Sequence, residues 1–278
     1  MHFQSTLALG LLANSVATAG FECGTSGSSN GLKAISKDLA NDHLNIREQH
    51  KVEIKTYLHV VAASKKEEDG YLTEATVKEQ IDLLNKTYKP WNFSFKLMKI
   101  TRTVNSKWAY PIDGPGRSET EGKVRAVLRE GGYRDLNLFY IADMPPGGKC
   151  DLPVPNPTKE DILFDGCIMR PDNPGEAPAK FNFVTVHEVG HWLGLEHTFE
   201  NGCNEPGDYV DDTPYEASPP EYGKCPPSDR NSCPDKPGLD PTDNFMDYVE
   251  PECGPKRFTP GQAERMHKLW KKLRANKN

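Results

Sequence analysis

The sequence has no excess of positive charge and only one long apolar run. Its 278 residues include 34 Lys and Arg against 40 Asp and Glu, a net charge of -6, so no broad basic surface for nucleic acid is expected. The apolar run begins at Leu7, and no later segment approaches the ~20 apolar residues that span a membrane. The sequence contains no internal repeat. Nucleic acids and membranes are therefore not expected as partners.

The apolar N-terminus is typical of a secretory signal peptide. From Leu7 it reads LALGLLANSVATAGF, and Ala17-Thr18-Ala19 is the small-residue pattern that precedes a cleavage site. The first residues, MHFQST, contain no Lys or Arg, so the alternative is a frayed apolar terminus of a cytosolic protein. We expect residues 1–19 to be a signal peptide and the protein to be secreted, extracellular and monomeric.

Cysteine usage fits an oxidising compartment. The seven cysteines are Cys23, Cys150, Cys167, Cys203, Cys225, Cys233 and Cys253. Six lie in the C-terminal half, which leaves Cys23 as the odd thiol, and six cysteines allow fifteen pairings. Asn85-Lys86-Thr87 and Asn92-Phe93-Ser94 are N-glycosylation sequons, which matter once the chain is secreted.

Strands and helices alternate up to about residue 170, which predicts an α/β half with a mixed sheet. The predicted strands are 51–63, 93–103, 136–142 and a short edge strand at 166–169, and the predicted helices are 73–88 and 119–128. Before them, residues 20–50 are polar and lack a strong period, so they are expected to form a short pro-segment or N-terminal arm.

The C-terminal part differs in character. Residues 181–196 are predicted to form a helix, whereas residues 200–243 hold too much Pro, Gly, Asp and Cys for long regular elements. Thr259 as N-cap and Pro260 at the first helical position begin a final helix that runs to residue 272.

The segment HEVGHWLGLEH contains the candidate metal ligands. His187 and His191 are four residues apart and lie on one helix face, where both imidazoles can meet one Zn²⁺ at about 2.0–2.1 Å. Gly194 can take a left-handed conformation that ends the helix and turns His197 back as a third ligand. Glu188 can reach a water on the metal, which makes it the candidate general base. Chance produces this pattern in roughly one such chain in ten thousand or fewer, so three unrelated core histidines are rejected as an explanation.

The pattern matches every fixed position of the H-E-x-x-H-x-x-G-x-x-H signature and resembles the metzincin clan of zinc peptidases. The resemblance implies a methionine in a tight turn beneath the zinc, which Met246 supplies within NFMDY. It also implies that Tyr248 donates a hydrogen bond to the oxyanion of the reaction. Within the clan the chain is similar to the pappalysin family, and in particular to fungal extracellular metalloproteases. The passages FECGT at 21–25 and DDTP at 211–214, with the cysteine spacing around Met246, carry this similarity.

The resemblance implies an α+β fold. A mixed α/β upper subdomain, 51–197, would hold a twisted mixed sheet and the zinc-binding helix. An irregular, disulfide-stapled lower subdomain, 198–278, would hold the Met turn and the C-terminal helix, which completes a catalytic domain of residues 51–278. Substrate would lie extended across the cleft and pair with an edge strand.

The resemblance also implies roles for the cysteines. It pairs Cys203 with Cys233 and Cys225 with Cys253, and it leaves Cys150 and Cys167 as a further pair that it does not fix. A Cys23 thiolate would occupy the fourth zinc position and keep the enzyme latent, with an intermolecular disulfide as the plain alternative.

Calcium is the second metal that the resemblance implies. Carboxylates are ligands that Ca²⁺ prefers, but no EF-hand spacing is present and Asp is also a common turn residue. The candidate ligands in or beside the long loop are Asp208, Asp211, Asp212 and Asp247.

The expected function is hydrolysis of peptide bonds in protein or peptide substrates by a secreted endopeptidase with one Zn²⁺ per chain. The alternative is a secreted metal-binding protein without turnover, such as an adhesion or inhibitory module. Glu188 argues against that alternative, because loss of catalysis would often remove this residue first. A purely structural zinc is disfavoured, because such sites are generally closed sets of four ligands rich in Cys.

Overall fold

The computed structural model describes residues 23–40, 50–110, 117–142, 147–171, 183–221, 224–249 and 253–277. The predicted signal peptide, residues 1–19, lies outside these ranges. The strands are β1 (Val52–Ala62), β2 (Phe93–Val104), β3 (Leu136–Ile141), β4 (Gly148–Cys150) and β5 (Cys167–Met169). The helices are α1 (Asn30–Ala40), α2 (Glu74–Tyr88), α3 (Ser106–Ala109), α4 (Glu119–Leu128), α5 (Lys159–Phe164), α6 (Val184–Trp192) and α7 (Pro260–Leu269), and α7 continues into a π-helical turn, Trp270–Arg274.

The five strands form one mixed sheet in the order β2-β1-β3-β5-β4. β1 is parallel to β2 and β3, β3 is parallel to β5, and β4 alone is antiparallel to its neighbour. The mixed sheet expected from the sequence is confirmed. The prediction of an edge strand at 166–169 is wrong in one respect, because β5 is interior and β4 forms the edge. Three residues, Gly-Lys-Cys, are too few to show a strand period, so the sequence did not reveal β4.

Both faces of the sheet are covered. On one face α2 turns Val77, Ile81 and Leu84 into the main core, and the same core contains residues of α6. The Tyr88 hydroxyl donates to the Val186 carbonyl at 2.8 Å, which fixes α2 against α6. On the other face Val124 of α4 packs in a smaller cluster with residues of β1, β3 and β5. The sheet therefore supports α6, which carries the histidine motif, from behind.

The described residues of the 200–243 stretch contain no α-helix or β-strand, as its Pro and Gly content predicts. The prediction of a helix that runs to residue 196 is wrong, because α6 ends at Trp192, where the chain turns at Gly194. Disulfides join Cys203 to Cys233 and Cys225 to Cys253, the pairs that the resemblance implies, and a third joins Cys150 of β4 to Cys167 of β5. The third bond lies across a directly paired position of the two strands. Disulfides therefore stabilise both the long loop and the short edge of the sheet.

The N-terminal arm contains a helix for which the sequence analysis predicted no element. In α1, Leu32 is fully buried against Leu269 and Leu273, and Ile35 and Leu39 pack on the same cluster. These apolar residues at i, i+3 and i+7 are a helical pattern, but it is short and lies in an otherwise polar stretch. No helix in the described ranges is both long and apolar enough to cross a membrane.

Candidate metal centre

The three motif histidines converge as their spacing predicts. His187 and His191 lie on α6, and their Nε2 atoms are 3.0 Å apart. The helix ends where Leu195 N donates to Gly190 O at 3.0 Å and Gly194 N donates to His191 O at 2.8 Å, the two hydrogen bonds of a Schellman motif. Gly194 has φ +100°, and the chain turns there so that His197 Nε2 lies 3.1 Å from His191 Nε2.

The hydrogen bonds of two of these histidines fix their tautomers. His187 Nδ1 donates to the Phe245 carbonyl and His191 Nδ1 to the Leu195 carbonyl, each at 2.7 Å. Burial lowers the pKa of His187 to about 4 and holds the pKa of the other two imidazoles well below the usual value, so all three are neutral.

The resulting arrangement fits a zinc ion. In His187 and His191 the Nε2 lone pairs point at a common centre with no proton between them, which is unfavourable unless a cation binds there. Tetrahedral Zn²⁺ with Zn–N bonds of about 2.0–2.1 Å separates its nitrogen ligands by about 3.3 Å, close to the spacing observed.

Cys23 completes this group. The Cys23 Sγ and one nitrogen of each histidine all lie within 4.8 Å of one another. The neighbouring Gly24 N donates to the Gly148 carbonyl at 2.8 Å, so the arm lies alongside the edge strand β4 in a parallel bridge. Removal from water and the nearby Glu188 carboxylate raise the pKa of the Cys23 thiol. A metal cation is therefore needed to hold Cys23 as a thiolate.

Glu188 is fully buried beside the histidines. Its Oε2 accepts from the Thr25 hydroxyl at 3.2 Å, and burial raises its pKa to about 8. A Cβ on Gly148 would lie 2.7 Å from Glu188 Oε1, so glycine in β4 is what lets this carboxylate lie against the edge strand. The sequence analysis did not identify Thr25 or Gly148, although Thr25 belongs to the FECGT passage.

Met246 packs on the histidine helix α6, and Tyr248 packs beside His197. Met246 is fully buried, and a Cβ on Gly190 would collide with its Sδ, so the methionine packs against the helix between the two histidines. The Tyr248 ring contacts that of His197, with centroids 4.9 Å apart. Its hydroxyl donates to the Cys23 carbonyl at 3.3 Å, which orients this group toward a carbonyl in the cleft.

The aspartates considered for calcium do not form a carboxylate cluster. Within the described ranges, the Cys23 and histidine set is the only group of His, Cys, Asp and Glu side chains whose ligand atoms converge. Asp211 and Asp212 are exposed, whereas Asp208 and Asp247 are buried. Burial raises the pKa of each of these two carboxyls to about 8.

The two sequons differ in their surroundings. The Asn85 amide donates to the carbonyls of Ile81 and Phe95 at 3.1 and 3.0 Å and accepts from Phe95 N at 2.8 Å. A glycan on Asn85 would disrupt these bonds. Asn92 is partly exposed and adopts a left-handed backbone conformation directly before β2.

Comparisons with known proteins show the family of this chain. The family model described as pregnancy-associated plasma protein-A, a peptidase family, matches residues 147–271. An extracellular metalloprotease of Pyricularia oryzae is 42% identical over 249 residues, covering 88% of this chain and 83% of that protein. An extracellular metalloprotease of Neurospora crassa is 39% identical over 280 residues, covering 97% and 94%.

Solved structures show the same fold. Mature mirolysin of Tannerella forsythia, in complex with a cleaved peptide, has a TM-score of 0.62 at 25% identity and covers 80% of this chain and 92% of that chain. Promirolysin of the same organism has a TM-score of 0.66 at 22% identity, covering 89% and 93%.

Proposed function

Because the chain belongs to the pregnancy-associated plasma protein-A, or pappalysin, family and is a zinc metalloendopeptidase, we propose that His187, His191 and His197 hold its zinc and that Glu188 is its general base. The observation that carries this proposal is the convergence of three neutral imidazoles, two of them with Nδ1 committed to backbone carbonyls. The relatives are named extracellular metalloproteases, which supports secretion of this chain after removal of residues 1–19.

The chain's own groups divide the reaction between them. Zinc held by His187, His191 and His197 would supply Lewis-acid chemistry, which lowers the pKa of a water and polarises the scissile carbonyl. Glu188 accepts the proton of the attacking water and returns it to the leaving amine as the peptide bond breaks. The Tyr248 hydroxyl donates to the scissile carbonyl oxygen as negative charge develops there, and Met246 forms the apolar floor under the histidines. The outer edge of β4 is the strand along which an extended substrate pairs.

The test is a comparison of Glu188→Ala with the wild-type protein after removal of the N-terminal arm. We expect the variant to keep its zinc, measured by metal analysis, and its fold, measured by circular dichroism, while casein cleavage is lost. Glu221→Ala, at an exposed glutamate paired with Lys224, is the matched control and should cleave as wild type. Casein cleavage by Glu188→Ala at the wild-type rate would refute the general-base role, and an inactive activated wild type would favour a metal-binding protein without turnover.

We further propose that the arm, residues 20–50, is a pro-segment and that Cys23 is its latency thiol. The arm occupies the cleft at two groups needed for catalysis, because Cys23 faces the histidines and Thr25 donates to Glu188. Its α1 is anchored on the C-terminal helix by Leu32, and Lys268 Nζ donates to the Leu39 carbonyl at 2.8 Å at the end of α1. The catalytic domain would then be residues 51–278.

Full-length variants test both ends of this pro-segment. We expect Cys23→Ala and Leu32→Asp each to give partial casein cleavage without processing, and the double variant to give more. Ala34→Asp, on the exposed face of α1, places the same charge on the same helix and should remain as latent as wild type. An unprocessed wild type that already cleaves at the full rate, or a double variant as inactive as wild type, would contradict the pro-segment role.

Calcium binding by the long loop is the remaining metal proposal. It is supported by the buried Asp208 carboxylate, which lies beside Thr213 and next to the loop cavity of about 200 Å³ that both residues line. We expect millimolar Ca²⁺ to raise the Tm of the wild-type protein, and Asp208→Asn to remove this shift. An identical Tm with and without Ca²⁺ would rule out a stabilising calcium site.

We also propose that the protein is a monomer. Size-exclusion chromatography should give the mass of a single chain both with and without Ca²⁺.

A further inference from the structure

Two arginines from the C-terminal helix donate to backbone carbonyls at the end of the zinc-binding helix. A helix leaves its last carbonyl groups without intrahelical partners, and the Schellman motif of α6 accounts for only two of these carbonyls. The Trp192 carbonyl accepts from Arg274 Nε at 3.1 Å, and the Gly194 carbonyl accepts from Arg265 Nε at 2.8 Å. These carbonyls belong to the turn between the second and third histidines.

Arg274 is held on every side. It is 1% exposed, and its two other nitrogens donate to the Tyr133 carbonyl and to Asp165 Oδ1, each at 2.8 Å. Asp165 in turn accepts from Trp192 Nε1 at 3.1 Å, and the guanidinium lies 4.0 Å from the Trp192 ring centroid. These contacts fix the orientation of the planar guanidinium group that donates to the end of α6. The flexible ammonium group of a lysine would not be held in this way.

Arg265 reaches the same turn from α7. It is 7% exposed, and its guanidinium lies over the Tyr209 ring at 5.4 Å. One turn further along α7, Leu269 packs so closely on Gly194 that a Cβ at that position would overlap it. The C-terminal helix thus contacts the turn by both a hydrogen bond and packing.

We propose that Arg265 and Arg274 are positioning residues that fix this turn and thereby place His197 at the metal. The inference rests on the proposed zinc ligands. At the turn the two arginines donate to the carbonyls of Gly194 and Trp192 and not to a histidine, so the effect passes through these carbonyls. Removing partners that orient metal ligands costs about 10- to 100-fold in metal affinity.

The test measures zinc affinity of the full chain by chelator competition, together with the visible absorption of the cobalt-substituted protein. We expect Arg265→Met to bind zinc about 10- to 100-fold more weakly and to change the cobalt spectrum, and Arg265→Lys to recover part of the affinity. Arg257→Met is the matched control, because Arg257 is half-exposed and its side chain donates to Asp243 and not to a carbonyl of the turn. It should bind zinc as tightly as wild type.

The proposal would be overturned if zinc-free Arg265→Met had a lower Tm than wild type but the same zinc affinity and cobalt spectrum. The arginine would then be only structural. Should Arg265→Met fail to fold, Arg265→Leu, which also lacks a donor for the Gly194 carbonyl, takes its place in the same titration, and wild-type affinity there refutes the proposal. Wild-type protein that binds no zinc in the same titration would instead refute the ligand assignment itself, so the two failures are distinguishable.

Discussion

Replacing Gly194 by alanine would perturb the turn between His191 and His197 in two separable ways. At φ +100° a residue with a Cβ pays about 1–2 kcal/mol for the left-handed conformation. The new methyl group would also overlap Leu269, and overpacking a filled core costs about 1–3 kcal/mol. Alanine also lowers the conformational entropy of the unfolded chain, which offsets about 0.4–1 kcal/mol of this destabilisation. The free energy of unfolding should therefore fall by about 3 kcal/mol.

Gly254→Ala is the matched control for the conformational part. Gly254 has φ +75°, but the atom nearest to a Cβ there is Lys256 Cε at 3.6 Å, an ordinary contact. In Gly254→Ala only two effects remain: the cost of the left-handed conformation and the smaller, opposing effect of reduced entropy in the unfolded chain. The free energy of unfolding should therefore fall by about 1 kcal/mol. The difference between the two variants, about 2 kcal/mol, measures the overlap with Leu269.

The assay is urea unfolding of the zinc-free proteins, followed by zinc titration of each. Gly194→Ala should unfold at lower urea with an unchanged slope, and it should bind zinc more weakly because His197 is displaced. A Gly194→Ala variant that is no less stable than Gly254→Ala and binds zinc as wild type would refute the reasoning. The turn would then tolerate a side chain, and the glycine of the motif would need another explanation.

Three further predictions concern other parts of the molecule. Mass spectrometry of the secreted protein should find glycan on Asn92 and none on Asn85, whose amide is engaged in three hydrogen bonds, and an occupied Asn85 would contradict this structure of α2. Asp165→Ala leaves the buried Arg274 without its counter-ion and should cost about 3–5 kcal/mol in urea unfolding, with a loss under 1 kcal/mol counting against the ion pair. Met246→Leu conserves volume, so it should cost under about 1.5 kcal/mol and retain zinc by metal analysis, and loss of the metal would assign the sulfur a larger role.

Elements governed by local chemistry could be predicted from the sequence. Helix α4 spans Glu119–Leu128 as predicted, because Ser118 caps its first turn by accepting from Glu121 N. The last helix begins at Pro260 as predicted, because Thr259 and Gln262 form a capping box. The motif spacing likewise indicated how His197 returns, since a glycine at a helix end has few other uses.

Contacts made across long stretches of chain could not be predicted. Thr25 meets Glu188, 163 residues away, and Arg265 meets Gly194, 71 residues away. Within their own segments Thr25 and Arg265 are ordinary polar residues. No periodicity or motif spacing in the sequence indicates that either one contacts the site. Strand β4 was missed for a related reason, since three residues become a strand only through their pairing with β5.

The edge strand links latency and catalysis in a way that neither proposal states alone. Gly148 carries the backbone carbonyl that accepts from Gly24, and its lack of a side chain leaves room for Glu188. A substrate pairing with this edge would need the same carbonyl, so the proposals together predict that the arm and the substrate exclude each other even when Cys23 is not bound to the metal. The arm blocks three groups: the metal site through Cys23, the Glu188 carboxylate through Thr25, and the edge of β4 through Gly24. Loss of the thiol would free only the first of these. The pro-segment proposal therefore predicts that full activity requires α1 to leave the C-terminal helix as well, because the burial of Leu32 would keep the rest of the arm near the cleft at high effective concentration.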